Sequence, residues 1–257
     1  MSEGRVRYSK ADGVATVVFD RPDARNAMTW AMYAELATAC ESIAADDEVR
    51  VAVFRGAGGA FVAGTDIQQF TAFAGGEDGI AYEKRINAAI SQIENLAKPV
   101  IAVVEGACVG GGMMIAAACD FRIATAAARF GVPIARTLGN CISVENTARL
   151  VAQFGVGRTK RMLMLAELIS AEEAAACGFV DVLAAPADIE AKLAEMCRRL
   201  LGHAPLTMRA AKQAIRRITL ENLPVGDDLI RLCYGSADFK EGVDAFLAKR
   251  PPQWRGR

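Results

Sequence analysis

An α/β fold with a mainly parallel sheet is what this chain predicts, and three patterns carry the expectation. Short apolar runs at 51–54, 100–104 and 121–124 read as buried strands. Amphipathic stretches at 30–44 and 82–96 precede the first two of them, and strands alternating with helices pack as a parallel sheet covered by helices. Glycine-rich turns follow two of these strands, where the chain passes toward the next helix.

The elements follow in order. Residues 6–10 and 14–19 flank Asp12-Gly13, a hairpin signal. Thr29 stands where it can cap helix 30–44, in which Met32, Leu36 and Cys40 recur on one face. Strand 51–54 leads into Gly56-Ala57-Gly58-Gly59. Helix 82–96 carries Ile86, Ile90 and Ile93 on one side and ends at Lys98-Pro99. Beyond residue 148 the pattern turns to helix upon helix. Ser170-Ala171-Glu172-Glu173 has the form of a capping box, and Cys177-Gly178-Phe179-Val180 closes that helix and enters a strand. Helices at 189–200, 206–218 and 239–248 complete the chain. The expected organisation is an α/β core over 1–195 with a C-terminal helical module over 196–257.

Composition bounds the function. The 257 residues are 53% hydrophobic, with Lys+Arg and Asp+Glu equal at 30 each, so a large core is possible and no net charge draws the chain to nucleic acid or an anionic membrane. No apolar run approaches the ~20 residues of a membrane span. The first residues, Met-Ser-Glu-Gly-Arg-Val, lack the apolar centre of a secretion signal, and a cytoplasmic location is expected. Seven cysteines without a Cys-x-x-Cys pair read as reduced, mostly buried thiols. A single histidine, His203 in a loop context, argues against a metal site and against a Ser-His-Asp triad.

The most informative stretch is 105–120. Gly110, Gly111 and Gly112 stand between an apolar strand and an apolar helix. A glycine turn entering a buried helix leaves backbone N–H groups unpaired at a positive dipole end, and the absent Cβ lets a ligand approach. The fitting guest is an anion, or a carbonyl oxygen that becomes anionic during reaction. Triple glycine also serves linkers and tight helix packing. A second motif, Ala60-Phe61-Val62-Ala63-Gly64-Thr65-Asp66-Ile67, follows strand 51–54 in the same way. In a parallel sheet both turns reach the carboxyl edge, where ligands bind.

Taken together, four segments resemble the crotonase (enoyl-CoA hydratase/isomerase) superfamily over nearly the whole chain. They are Asp20-Arg21-Pro22-Asp23-Ala24-Arg25-Asn26-Ala27-Met28, the 60–67 motif, the 105–114 motif, and Asp238-Phe239-Lys240-Glu241-Gly242 with Phe246-Leu247-Ala248-Lys249-Arg250. The resemblance implies a crotonase-like ββα spiral core and a C-terminal trimerisation module. It implies an oxyanion hole formed by the backbone N–H groups of Thr65 and Gly111. It places Ala24, Asn26, Ala63, Gly64, Asp66, Ile67, Gly110 and Pro133 along a coenzyme A and substrate path, with Phe246 and Lys249 arriving from a neighbouring subunit. A homotrimer, or a hexamer of paired trimers, follows from the same resemblance, as does an acyl-CoA substrate with no separate cofactor. Independently, residues 205–257 hold ten Lys/Arg against six Asp/Glu, which suits a phosphate-rich ligand.

The family pattern breaks at its two catalytic glutamates. The first position is Met114. The second, after the proline of Phe130-Gly131-Val132-Pro133, is Ile134, followed by Ala135 and Arg136. Neither side chain moves a proton, and positioned acid/base groups contribute ~10²–10⁴-fold each. Replacement candidates lie in the next loop: Arg136, Asn140, Cys141 and Glu145. Cys141 stands near the position of a nucleophilic aspartate in the dehalogenase branch of the family, though a structural cysteine fits it as well. Glu145 equally suits the surface of a following helix. Three readings result: an acyl-CoA enzyme, nominally an enoyl-CoA hydratase or isomerase with non-standard chemistry; a hydrolase or dehalogenase-like enzyme on acyl- or aryl-CoA; and a non-catalytic acyl-CoA-binding protein.

Overall fold

Residues 3–256 are described by a computed structural model. The expected hairpin is its first element: β1 (Arg5–Ala11) runs antiparallel to β2 (Val14–Asp20) around Asp12 and Gly13. Helix α1 (Trp30–Ala45) starts at Thr29, whose Oγ1 accepts the Met32 N–H at 3.2 Å. There follow β3 (Val51–Gly56), α2 (Gly76–Asn95), β4 (Val100–Val104), β5 (Ala107–Val109), α3 (Gly111–Ala118), β6 (Phe121–Ala124) and β7 (Arg129–Gly131). The remainder is α4 (Ile134–Thr137), α5 (Val144–Met164), β8 (Ile169–Ser170), α6 (Ala171–Ala176), β9 (Val182–Leu183), α7 (Ile189–Leu201), α8 (Pro205–Leu220), α9 (Asp227–Tyr234) and α10 (Ala237–Leu247).

The larger sheet has the order β1-β2-β3-β4-β6-β9, parallel from β2 onward. Its strands are apolar without alternation because both faces are covered. Ala52, Phe54, Ala102 and Val104 face the main core with α1, α2 and α3, while Val53, Ile101, Val103 and Ile123 face a second core closed by Ile189, Cys197 and Leu200 of α7. The smaller sheet is β5-β7-β8. Single parallel bridges, Val62 to Cys108 and Met28 to Thr65, extend it across the chain. After each of β2, β3, β4 and β6 the backbone crosses into this second layer before it continues. That repeated step makes the spiral, and it stacks the turns after β2, β3 and β4 side by side.

Two expectations change. Helix α2 begins at Gly76, six residues before the anticipated start, because glycines there allow contact with α9. A Cβ on Gly79 would stand 2.3 Å from Cγ of Tyr234, and one on Gly76 would stand 2.7 Å from the Arg231 Cα. The boundary expected after residue 195 falls inside α7, which runs unbroken and packs on the sheet, so the purely helical part starts at α8. Among the described residues, no helix is long and apolar enough to cross a membrane. Gly79→Ala tests the α2–α9 contact. Overpacking against a buried ring outweighs the gain in helix propensity, so the variant should lose about 1–3 kcal/mol of stability in a denaturant titration.

Candidate active site

The site is assembled from backbone. Asn26, left-handed at φ 60 and fully buried, is its strut. Its Nδ2 donates to the carbonyls of Ala57 (2.8 Å), Ala60 (2.8 Å) and Phe61 (3.2 Å), and its Oδ1 accepts the Arg21 N–H at 2.8 Å. The turn after β2 is thereby bound to the turn after β3. Its side chain has no exposed surface, and both its polar atoms are engaged within the protein.

The next seam carries the two expected donors. Met28 N–H donates to Gly64 O at 2.8 Å, and Asp66 N–H donates to Met28 O at 2.9 Å. In such a parallel bridge the intervening residue turns its own N–H to the other side. That side holds the turn after β4, since Phe61 and Val62 N–H reach Ala107 O at 3.1 Å and Val109 N–H reaches Val62 O at 3.1 Å. The glycines are what permit the approach: a Cβ on Gly112 would stand 2.0 Å from Val62 O. A Cβ on Gly110 would be 3.4 Å from the Gly64 Cα, and one on Gly111 would be 3.8 Å from the Gly64 carbonyl carbon, which bonds the Thr65 nitrogen. Among the described residues, the N–H groups of Thr65 and Gly111 have no protein acceptor. Gly111 is the first residue of α3, where free N–H groups and the helix dipole coincide.

Side chains missed by sequence reasoning surround this point. Thr65 Oγ1 lies 2.8 Å from the Tyr33 hydroxyl and 2.9 Å from that of Tyr82, all buried. Burial pushes both phenols above their ordinary range, so they stay protonated. Around Tyr82 stand Phe70 (ring centroids at 4.9 Å), Trp30 (5.8 Å), Phe73 (5.9 Å) and Tyr234 (6.0 Å). The available signal was a tyrosine on the buried stripe of α1, since a buried phenol usually finds a polar partner. Glu83, one residue after Tyr82, is also buried. It accepts the Ser143 N–H at 2.9 Å and the Tyr234 hydroxyl at 3.0 Å, and burial raises its carboxyl to about 7.

The two residues expected at the glutamate positions, Met114 and Ile134, lie on α3 and α4. Met114 is buried in the main core on α3, and Ile134 is half-buried at the start of α4. Cys141 donates to the Leu229 carbonyl at 3.4 Å, and a hydrogen bond with Cys233, together with burial, pushes its thiol far upward. Glu145 is exposed in the first turn of α5, its Oε2 accepting from Asn87 at 3.2 Å; among the described residues it makes no contact with Thr65 or Gly111. Asp66 is engaged by Arg21 at 2.8 Å and by the Gln68 N–H at 3.0 Å. Ala24, Ala63 and Ile67 are partly exposed beside the same turns, and Gly64 is buried between them. Gly110 and Pro133 flank the glycine turn and the start of α4, while Phe246 and Lys249 are exposed at the end of α10. No group of three His, Cys, Asp or Glu among the described residues is placed to hold a metal ion.

A family model described as enoyl-CoA hydratase/isomerase matches residues 9–257. A short-chain-enoyl-CoA hydratase of Clostridium acetobutylicum is 33% identical, with 97% of each chain covered. A 2,3-dehydroadipyl-CoA hydratase of Escherichia coli is 32% identical, over 97% of this chain and 98% of its own. Among solved structures, a methylmalonyl-CoA decarboxylase in complex with 2-nitronate-propionyl-CoA superposes with a TM-score of 0.89 at 25% identity, over 98% of each chain. An enoyl-CoA hydratase/carnithine racemase from Magnetospirillum magneticum gives 0.80 at 32% identity, over 98% of this chain and 96% of its own.

Glu83 makes the fold pH-sensitive. Its folded carboxyl titrates at about 7 against 4.5 when unfolded, so the native state holds the proton more tightly. The stabilisation is complete below pH 4.5 and is lost as pH rises through 7. A shift of this size corresponds to ~3 kcal/mol at full ionisation. Urea titrations between pH 4.5 and 8 should show the wild type losing stability relative to Glu83→Gln; parallel curves would remove Glu83 as the cause.

Proposed function

Because the chain belongs to the enoyl-CoA hydratase/isomerase family, we propose that it is an acyl-CoA enzyme whose reaction passes through a thioester enolate held by the N–H groups of Thr65 and Gly111. The observation that carries this reading is the pair of uncommitted N–H groups on two backbone turns in contact. A thioester oxygen gains negative charge when its α-carbon acquires an electron pair. Donors fixed in a buried site stabilise that charge without reorganising, each contributing about 3–4 kcal/mol. Coenzyme A enters as part of the substrate. The nominal reaction is hydration or isomerisation of an enoyl-CoA, and with Met114 and Ile134 in place of carboxylates it is slow.

A second reading is favoured by the same absence. Loss of CO₂ from a 2-carboxyacyl thioester generates the enolate without a protein base: the bond between Cα and the carboxylate breaks, its electron pair enters the enolate, and the α-carbon then takes a proton from water. The apolar Met114 and Ile134 do not repel a substrate carboxylate as glutamates would. The methylmalonyl-CoA decarboxylase that superposes at 0.89 supports this alternative. Thioester hydrolysis through Cys141 draws no support from its thiol, which Cys233 and burial push upward.

We also propose a homotrimer or a pair of trimers. Large apolar side chains stand exposed on α5 and its following turn (Val156, Met164, Leu165), on α8 (Ile215, Ile218) and on α9 and α10 (Leu232, Phe246). Isolated monomers seldom expose so much apolar surface. In such an assembly Phe246 and Lys249, both exposed, would reach a neighbour's coenzyme.

Turnover of crotonyl-CoA should fall well below the ~10 s⁻¹ of a typical enzyme. Product analysis over crotonyl-CoA, methylmalonyl-CoA and an aryl-CoA separates the readings: CO₂ release supports decarboxylation, and tight binding without turnover of any supports a binding protein. Fast hydration would mean that another group moves the proton. Light scattering at micromolar concentration should give a mass three or six times the 27.3 kDa chain; a monomer would withdraw Phe246 and Lys249 from the site.

A further inference from the structure

Three hydroxyls meet beside Gly111, and their protons do not balance. Tyr33, Thr65 and Tyr82 each carry one O–H, but only two contacts join them, Tyr33 to Thr65 at 2.8 Å and Thr65 to Tyr82 at 2.9 Å. No other hydrogen bond of these oxygens exists among the described residues. Two protons serve the two contacts, and one remains.

The surroundings limit where it points. A proton left on Tyr82 would face the rings of Phe70, Phe73, Trp30 and Tyr234, none offering it an acceptor. Buried donors are rarely left in that state. Tyr82 therefore donates to Thr65, which leaves the spare proton on Thr65 if Tyr33 also donates to it, or on Tyr33 if Thr65 donates onward to the Tyr33 oxygen. That oxygen lies 2.6 Å from where a Gly111 Cβ would stand, closer than Thr65 Oγ1 at 3.3 Å. Gly111 is therefore without a side chain on the side that the Tyr33 hydroxyl occupies.

We propose that the Tyr33 hydroxyl, oriented by Thr65 and Tyr82, is a third hydrogen-bond donor to the thioester oxygen; this rests on the reading that Thr65 and Gly111 bind that oxygen. Tyr33 acts as a neutral donor and not as an acid, because burial opposes a phenolate there. The arrangement adds a dipole aimed at developing charge in a site where two carboxylates are missing. It also gives the Thr65 side chain a purpose, since the backbone N–H alone would serve with any residue at that position.

The test is the carbonyl stretch of [1-¹³C]butyryl-CoA bound to the intact protein, read by isotope-edited infrared difference spectroscopy. The wild type should lower the band relative to the free thioester in water. Tyr33→Phe should abolish at least half of that shift while butyryl-CoA affinity changes by less than threefold. Tyr82→Phe deletes a hydroxyl from the same cluster but leaves Thr65 free to donate to Tyr33, so most of the shift should remain. An unshifted band in the wild type would overturn the thioester-clamp reading and this proposal with it. A lowered band that Tyr33→Phe leaves in place, or that both variants diminish equally, would overturn the proposal alone. Should Tyr33→Phe fail to fold, 3-fluorotyrosine at position 33, which keeps the packing and donates more strongly, should lower the band further; an unmoved band would count against Tyr33.

Discussion

The contact between the backbone turns after β3 and β4 is the constraint on which the rest depends. Val62 O lies where any side chain at Gly112 would collide with it, and the bonds from Phe61 and Val62 to Ala107, and from Val109 to Val62, hold the two segments at that separation. Asn26 fixes the first turn from behind through three carbonyls, which an aspartate could not do because it has no N–H to donate. With that distance fixed, the Thr65 N–H faces the start of α3. The parallel sheet, the second small sheet and the buried α3 all converge on one small volume.

Around that volume the polar groups sort by depth. Hydroxyls and a high-titrating carboxyl lie inside, between α1, α2 and α9. Paired charges lie farther out, as where Arg149 holds Glu94 at 2.7 Å and reaches Asn146 at 2.8 Å along the seam of α2 and α5. The start of α5 is thus tied to α2 through Ser143, Asn87 and Glu83. The loop between α4 and α5 is fixed at its far end, and its polar residues Asn140 and Cys141 point their hydrogen bonds at Tyr234 and Leu229.

How much of this was legible depended on range in sequence. The hairpin, the Thr29 cap, strands β4 and β6 and the Ser170 cap are local patterns, and each was readable where it stands. Both glycine turns were readable because glycine reports directly on backbone that something approaches. The first two turns of α2 were hidden by the same residue: Gly76 and Gly79 weaken a helix locally and are needed only because α9 presses on them. The two- and three-residue strands β5, β7 and β8 carry too little pattern of their own and form because the neighbouring strands offer partners. Tyr33, Tyr82, Glu83 and Tyr234 come from three helices, and no spacing in the chain announces that they meet. Asn26 was readable as part of a motif, but its bonds to the carbonyls of Ala57, Ala60 and Phe61 were not, since those residues come from another turn.

The proposed oxyanion donors are main-chain atoms, and this makes the site heritable in a particular way. Substitution replaces side chains and leaves amide nitrogens in place, so drift at position 65, 114 or 134 can alter what happens to a bound acyl group without dismantling the place where it is bound. Only a loss of close approach, such as a Cβ at Gly112 or loss of the Asn26 amide, would remove the binding feature itself. Reactivity and anchoring are therefore carried by separate sets of residues, and a chain of this kind can lose one chemistry before it has acquired another while still folding and still recognising its thioester.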